Sequence, residues 1–183
     1  MSRAAIAGAI PGKTRAKLHT EEKRYEMEAK SDVAAESAER ELVITRIFDA
    51  ARHLVFKAWT EPERLMRWWG PRGFTMTLCE MDLRPGGFFR FHMRSPEGTE
   101  HRTQGVFREV VEPERLVLTR AWFDAEGKPS HETLLTVTFA DHGGRTMVTL
   151  HQAVFESVTA RDAHHGGWST ALDCLGDYLA SGD

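Results

Sequence analysis

The sequence has few cysteines and no long apolar run, and neither sign of charge predominates. Two cysteines occur in 183 residues, each next to a leucine in a predicted strand or helix, so we expect reduced core side chains and no disulfide bridge. No apolar stretch reaches the roughly 20 residues that span a bilayer. The net charge of -3 gives no basic surface for nucleic acid or an anionic membrane. These absences favour a soluble, cytoplasmic protein.

The first 40 residues differ in composition from the rest of the chain. Residues 1–20 contain basic but no acidic side chains, and residues 21–40 are charged and alanine-rich with almost no large apolar side chains. Such a segment cannot bury a core. We predict a disordered or loosely helical N-terminal extension over 1–40 and one domain over 41–183. The basic opening also resembles an organelle transit peptide, and Met27 offers an alternative start.

Seven segments alternate apolar with polar residues or are rich in β-branched and aromatic residues, which is typical of strands. The last six follow one another with short turns rich in Gly, Pro and Asp, a pattern that predicts an antiparallel meander. The seven segments are 42–50, 74–83, 88–94, 103–111, 116–124, 131–140 and 145–155.

Three helices are predicted beside these strands. One follows the first strand, and a second begins at Thr60 as N-cap, with Glu63 completing a capping box. The last segment places Trp168, Leu172 and two further leucines on one helical face. Because Gly166 and Gly167 precede that face, this helix either begins near Ser157 and bends there or restarts after the glycines. The order predicts an α+β fold, a curved seven-stranded antiparallel sheet wrapped around a long C-terminal helix, with two short helices after the first strand.

The stretch RWWGPRGFT joins the second short helix to the next strand. Gly70 and Pro71 stop the helix directly after Trp68 and Trp69. Large aromatic side chains usually end against a core or a ligand. We therefore expect this tryptophan pair at the mouth of whatever cavity the fold encloses.

Several motifs resemble one family. They are AWTEPERLMRWWGPRGFT, DLRPGG, SPEGTE, GVFREVVEPERLVLT, and GGW followed by LDCLGDYL. Together they resemble the SRPBCC (START-like) proteins, in the branch similar to the C-terminal domain of the activator of heat-shock protein 90 ATPase, over about residues 41–181. The resemblance implies a helix-grip fold with a largely hydrophobic cavity between sheet and C-terminal helix.

The same resemblance implies several functions. Members of the superfamily bind lipids and other hydrophobic molecules, some catalyse cyclisation or similar steps, and the activator binds the chaperone. The activator's separate N-terminal chaperone-binding domain has no counterpart in residues 1–40, which are short and polar. The resemblance leaves a homodimer open.

Candidate ligand contacts come from the aromatic residues and their neighbours. Side chains alternate along a strand, so Phe89, Phe91 and Met93 share the apolar face that should look toward the helix. The sequence leaves open whether such residues fill a core or line a pocket. The predicted ligand-binding set is Trp68, Trp69, Phe74, Phe89, Phe91, Met93, Phe107, Trp122, Trp168 and Leu172.

Motifs for metal or nucleophilic chemistry are absent from the sequence. The nine histidines form no HExxH, and no CxxC or GxSxG occurs. We therefore expect no metal, no cofactor and no assigned catalytic residue. His151 and His164 are either surface histidines or an acid/base pair at the cavity mouth.

Three functions are compatible with these residues. The first is binding of a small hydrophobic molecule in the cavity, with Trp68, Trp69 and Trp168 as its rim. The second is a protein-interaction module, a chaperone partner or stress-response regulator, that uses the outer sheet face with Arg90 and Arg94 or the N-terminal segment. The third is an enzyme acting on a hydrophobic substrate. The residues favour binding over catalysis.

Overall fold

The computed structural model describes residues 15–182, and the chain divides into two compact units with the boundary between Ala38 and Glu39. The first unit contains most of helix α1, Arg15–Glu39, whose surface carries an ion pair between Arg24 and Glu28 at 3.6 Å. The predictions for the basic opening of the chain, including the transit peptide, fall largely on residues 1–14 and lie outside the described residues. None of the described helices is long and apolar enough to cross a membrane.

The second unit contains the predicted seven-stranded antiparallel sheet. Its strands are β1 Leu42–Phe48, β2 Thr75–Met81, β3 Phe88–Arg94, β4 Glu100–Val111, β5 Arg115–Phe123, β6 Thr133–His142 and β7 Arg145–Ala153. The order across the sheet is β1-β7-β6-β5-β4-β3-β2, so the last strand returns beside the first and β1 and β2 form the two edges. Register shifts within β2 and β4 mark irregularities of the bulge type, which bend a strand and increase its twist.

Two short helices, α2 Arg52–Thr60 and α3 Pro62–Trp68, follow β1 as predicted. The predicted capping box is wrong. Glu61 is the N-cap of α3 and makes no side-chain cap, while the Thr60 hydroxyl donates to the Phe56 carbonyl at 2.9 Å inside α2. Pro62 stands in the first turn of α3, where its missing N–H costs nothing.

The C-terminal helix α4, Val158–Ser181, is one continuous helix. Its N-cap is Ser157, whose hydroxyl accepts from the Ala160 amide at 3.1 Å, so the first of the two alternatives for its start is confirmed. The helix runs through Gly166 and Gly167 without a break. Its buried face is formed by Trp168, Ala171, Leu172, Leu175 and Tyr178.

The core lies between the inner face of the sheet and the three helices α2, α3 and α4. Phe89, Phe91 and Met93 are buried on β3, whereas Arg90 and Arg94 on the same strand are exposed, which confirms the predicted alternation. The tryptophans of α2, α3 and α4 pack against one another within this core, with ring centroids 4.9 Å apart for Trp59 and Trp68. The antiparallel sheet, the two short helices and α4 around one core form the predicted helix-grip architecture.

Both cysteines are free, and burial raises the pKa of Cys79 to about 11.

Candidate ligand-binding cavity

A cavity of about 380 Å³ opens between the sheet and α4. Its wall is mainly apolar and aromatic, and it draws on the turn after α3, on strands β3, β4 and β5, and on two turns of α4. A cavity of this size lies near the lower end of the range for small-molecule sites. The lining residues are Trp69, Gly70, Pro71, Phe74, Met93, His101, Arg120, Trp122, Ala163, His164, Gly167, Trp168 and Ala171.

The turn after α3 shapes one side of this cavity. The Phe74 amide donates to the Pro71 carbonyl at 3.0 Å, which closes the turn. Gly70 has a φ of +113°, and a Cβ there would stand 2.9 Å from the Met93 sulfur. Only glycine fits this position without strain. The Gly-Pro stop in the sequence therefore places Trp69 and Phe74 in the cavity wall.

Half of the predicted ligand contacts meet at this cavity. Trp69, Phe74, Met93, Trp122 and Trp168 are in its wall. The other five are buried core residues outside the lining, namely Trp68, Phe89, Phe91, Phe107 and Leu172. Trp68 lies in the core because its indole N–H donates to the Ala58 carbonyl at 2.9 Å, which holds the ring against α2. The structure does not bring Trp68 to the predicted rim.

Trp168 belongs to both the core and the cavity wall. Only 5% of its surface is exposed. Its ring stacks on Trp59 at 5.9 Å and meets Trp69 edge-on at 5.3 Å. Its indole N–H donates to the Gln152 side-chain oxygen at 2.7 Å, and the Gln152 amide donates to the Thr133 hydroxyl at 2.7 Å. Trp168 is thus fixed by ring packing and by a buried polar network, and only part of it faces the cavity.

Arg120 is the charged residue of the cavity wall. It lies on β5, is 5% exposed, and its guanidinium carbon is 4.7 Å from the Trp122 ring centroid, 5.1 Å from that of Trp168 and 5.9 Å from that of Trp69. Its Nε donates to the Thr103 hydroxyl at 3.4 Å. Arginine over indole rings is a favourable cation–π arrangement. The three rings hold the guanidinium at the cavity surface.

The charge of Arg120 has no neutralising carboxylate within residues 15–182. Among the described residues no carboxylate pairs with Arg120, and burial lowers its pKa to about 10, so it remains protonated at neutral pH. The exposed Glu156 shares with Arg120 a smaller adjoining cavity of about 100 Å³ but forms no ion pair with it. A buried charge without a partner is unusual and costs free energy.

Neither Arg120 nor His101 is among the ligand contacts predicted from the sequence. Leu116, Leu118 and Arg120 lie at alternating positions of β5 and are all buried. A charged residue at a position where the alternation predicts an apolar one was therefore the sequence signal that could have identified Arg120. His101 stands one residue inside the start of β4, ahead of the predicted strand, and its ring contacts Phe74 at 5.5 Å.

His164 lines the cavity as a neutral imidazole with both nitrogens engaged. Its Nδ1 lies 2.8 Å from the Ala160 carbonyl, which can only accept, and its Nε2 lies 2.9 Å from the Trp122 indole N–H, which can only donate. Nδ1 therefore carries the proton. His151 is elsewhere, half-buried on β7, with Nε2 2.8 Å from the Glu41 carboxylate. The structure does not show the acid/base pair at the cavity mouth.

We expect the stability of the protein to fall in mild acid through His164. Burial lowers the pKa of His164 most, the charge of Arg120 lowers it further, and the Ala160 carbonyl and Glu156 oppose them. The unfolded chain therefore binds a proton at a higher pH than the folded one. The contribution to stability is complete above the unfolded pKa of about 6.5 and is lost as the pH falls toward the folded pKa.

Thermal unfolding between pH 5 and pH 7.5 measures this effect. His164→Gln should show a smaller fall in melting temperature over that range than the unchanged protein. The neighbouring, exposed His165 provides the control, and His165→Gln should retain the full fall. Equal pH dependence in both variants would contradict the role of His164.

Metal ligands are not gathered at the cavity. Within residues 15–182, no group of three or more His, Cys, Asp or Glu side chains is arranged to hold a metal ion.

The known proteins that resemble this chain agree with the fold described above. The family model described as Activator of Hsp90 ATPase homolog 1-like protein matches residues 49–180. A solved protein from Nitrosomonas europaea is similar at 28% identity and a TM-score of 0.67, over 79% of this chain and 96% of that chain. One from Arthrobacter aurescens has 27% identity and a TM-score of 0.69, over 79% and 88%. The AHSA1 protein from Silicibacter pomeroyi, at 23% identity, shares the fold with a TM-score of 0.71, over 78% and 99%. No curated protein matches the chain.

Proposed function

The chain belongs to the family of Activator of Hsp90 ATPase homolog 1-like proteins, and from this premise we propose that it binds a small hydrophobic molecule in the cavity between the sheet and α4. The observation that carries the proposal is the aromatic wall, in which three of the chain's five tryptophans, Trp69, Trp122 and Trp168, face one space. Burying apolar ligand surface there contributes about 25 cal/mol per Å² before the costs of binding.

The volume of the cavity determines how much of a ligand it can enclose. At roughly 30 Å³ for each water-sized group, a volume of about 380 Å³ holds on the order of a dozen non-hydrogen atoms. A medium-length acyl chain or a compound of one or two rings fits this limit. Because the wall joins the flexible thioether side chain of Met93 to rigid indoles, it can adapt to ligands of somewhat different shape.

The two alternative functions have weaker support. For a protein-interaction module, the outer-face residue Arg90 already pairs with Glu80 at 3.0 Å. For an enzyme, both ring nitrogens of His164 are engaged. A cytoplasmic location and a homodimer stay predictions.

Native mass spectrometry of freshly purified protein, before and after organic extraction, tests the proposal. We expect a small-molecule adduct that extraction removes and that an added panel of lipids and polyketides restores. A bare mass that no member of the panel shifts would contradict a ligand-binding cavity.

Gly167 and Gly166 offer a matched pair of variants for the same measurement. A Cβ added at either glycine meets nothing within 4 Å, but only Gly167 lines the cavity. Gly167→Leu should fill the space and abolish the adduct, whereas Gly166→Leu should retain it. Retention of the adduct by Gly167→Leu would place the ligand elsewhere.

A further inference from the structure

The cavity wall combines one permanent positive charge with apolar surface. Arg120, His101 and His164 are its ionisable residues, and no aspartate or glutamate within residues 15–182 lines it. His164 is neutral, as its two hydrogen bonds require. The guanidinium of Arg120 is therefore the charge that an occupant of this cavity meets.

The contacts of Arg120 leave room for a further partner. One hydrogen bond, from Nε to the Thr103 hydroxyl, is long at 3.4 Å, and that hydroxyl also donates to the Ala121 carbonyl at 2.9 Å. The remaining contacts are with indole rings, which offset part of the desolvation of a cation but accept no conventional hydrogen bond. Within residues 15–182 the two terminal nitrogens of the guanidinium donate no hydrogen bond, and they are not among the fully enclosed side-chain atoms that lack a partner, so they remain accessible at the cavity wall.

The position of Arg120 is fixed by its surroundings. The Thr133 hydroxyl donates to the Arg120 carbonyl at 3.3 Å, and the same hydroxyl accepts from Gln152, which holds Trp168. The network thus connects the backbone of Arg120 to one of the rings beside its guanidinium. A donor held in this way loses little conformational freedom when it binds an anion.

We propose that the ligand of this cavity is an amphipathic carboxylate, whose head group pairs with the Arg120 guanidinium and whose apolar body lies against Trp69, Trp122 and Phe74. This inference rests on the proposed function and adds the chemical class of the ligand. The planar fork of arginine matches the two oxygens of a carboxylate. A single permanent charge suits a monocarboxylate better than a doubly charged phosphate ester, and a volume of about 380 Å³ encloses a chain of medium length.

Binding of a matched pair of probes tests the inference. Decanoate and decanol have the same apolar chain and differ in the charge of the head group. Titrated at pH 8 against the delipidated full chain, with tryptophan fluorescence as readout, decanoate should bind at least tenfold more tightly than decanol. Arg120→Met should weaken decanoate binding about tenfold more than it weakens decanol binding, which removes this difference. The control Arg94→Met deletes an exposed arginine of β3 and should retain the difference.

The outcomes separate the inference from the proposed function. If neither probe binds the unchanged protein and native mass spectrometry shows no adduct, the proposed cavity function fails, whereas an adduct without binding of either probe overturns the carboxylate class alone. If both bind equally, the cavity function stands and the carboxylate class is overturned. If decanoate is preferred and Arg120→Met keeps that preference, the assignment to Arg120 is overturned. If the methionine variant does not fold, the comparison of the two probes on the unchanged protein still decides the ligand class. Arg120→Lys keeps the charge without the planar fork, and we expect it to bind decanoate more weakly than the unchanged protein does.

Discussion

Trp168→Ala is expected to lower the free energy of unfolding by about 4 kcal/mol, the usual cost of removing a buried tryptophan side chain. The indole is 5% exposed and packs on Trp59 and Trp69. Its removal also leaves the side-chain oxygen of the fully buried Gln152 without its donor, which adds a desolvation cost. Urea unfolding followed by far-UV circular dichroism measures the loss.

Two further variants separate the ring packing of Trp168 from its hydrogen bond and from its place in the cavity wall. Trp168→Phe keeps most of the ring but removes the donor to Gln152, so we expect a loss of about 1 to 3 kcal/mol. Trp122→Ala removes a half-buried indole from the same cavity and should cost less stability than Trp168→Ala. A loss below about 1 kcal/mol in Trp168→Ala would contradict its place in the core.

This expectation differs from the sequence prediction, which placed Trp168 at the rim of the cavity and left open whether it belongs to the core. The helical spacing correctly placed Trp168 on the face that meets the sheet. It could not show that Trp59 from α2 stacks on the ring. That contact depends on how two helices far apart in the chain pack, which local periodicity does not encode.

The fold itself was predictable because its signals are local. Alternation along strands such as β3, and turn residues between them, determine the order of elements and the face each residue occupies. The sequence also located the aromatic wall in part. Phe89, Phe91 and Met93 share one face, but only Met93 reaches the cavity, since the cavity lies toward one end of that strand. Position along the strand relative to α4 is a tertiary property.

Arg120 was the hardest residue to predict. Alternation assigns it to the inner face with Leu116 and Leu118, where a charged residue is unexpected, and composition alone gives no reason for it. Its environment comes from β5, from the turn after α3 and from α4, through Trp122, Trp69 and Trp168. The site is therefore visible only after these elements are brought together.

The second large effect is expected from Gly105→Ala on β4. A Cβ at Gly105 would overlap the Thr119 carbonyl oxygen and lie 2.8 Å from the Phe89 ring. The first neighbour is backbone of the paired strand β5, so relief requires β4 and β5 to move apart. We expect a loss of more than about 4 kcal/mol, among the largest that a single substitution produces, or no folded protein.

The same substitution should disturb the cavity, because Gly105 pairs with Arg120 across the two strands. Where Gly105→Ala still folds, its urea midpoint and its decanoate affinity should both fall, since displacement of β5 moves the guanidinium away from the three indoles. Gly166→Ala is the matched control, because a methyl group there meets no neighbour and alanine favours a helix by up to about 1 kcal/mol over glycine. Wild-type stability in Gly105→Ala would contradict the close approach of β4 and β5, and with it the strand register that brings Arg120 to the cavity wall.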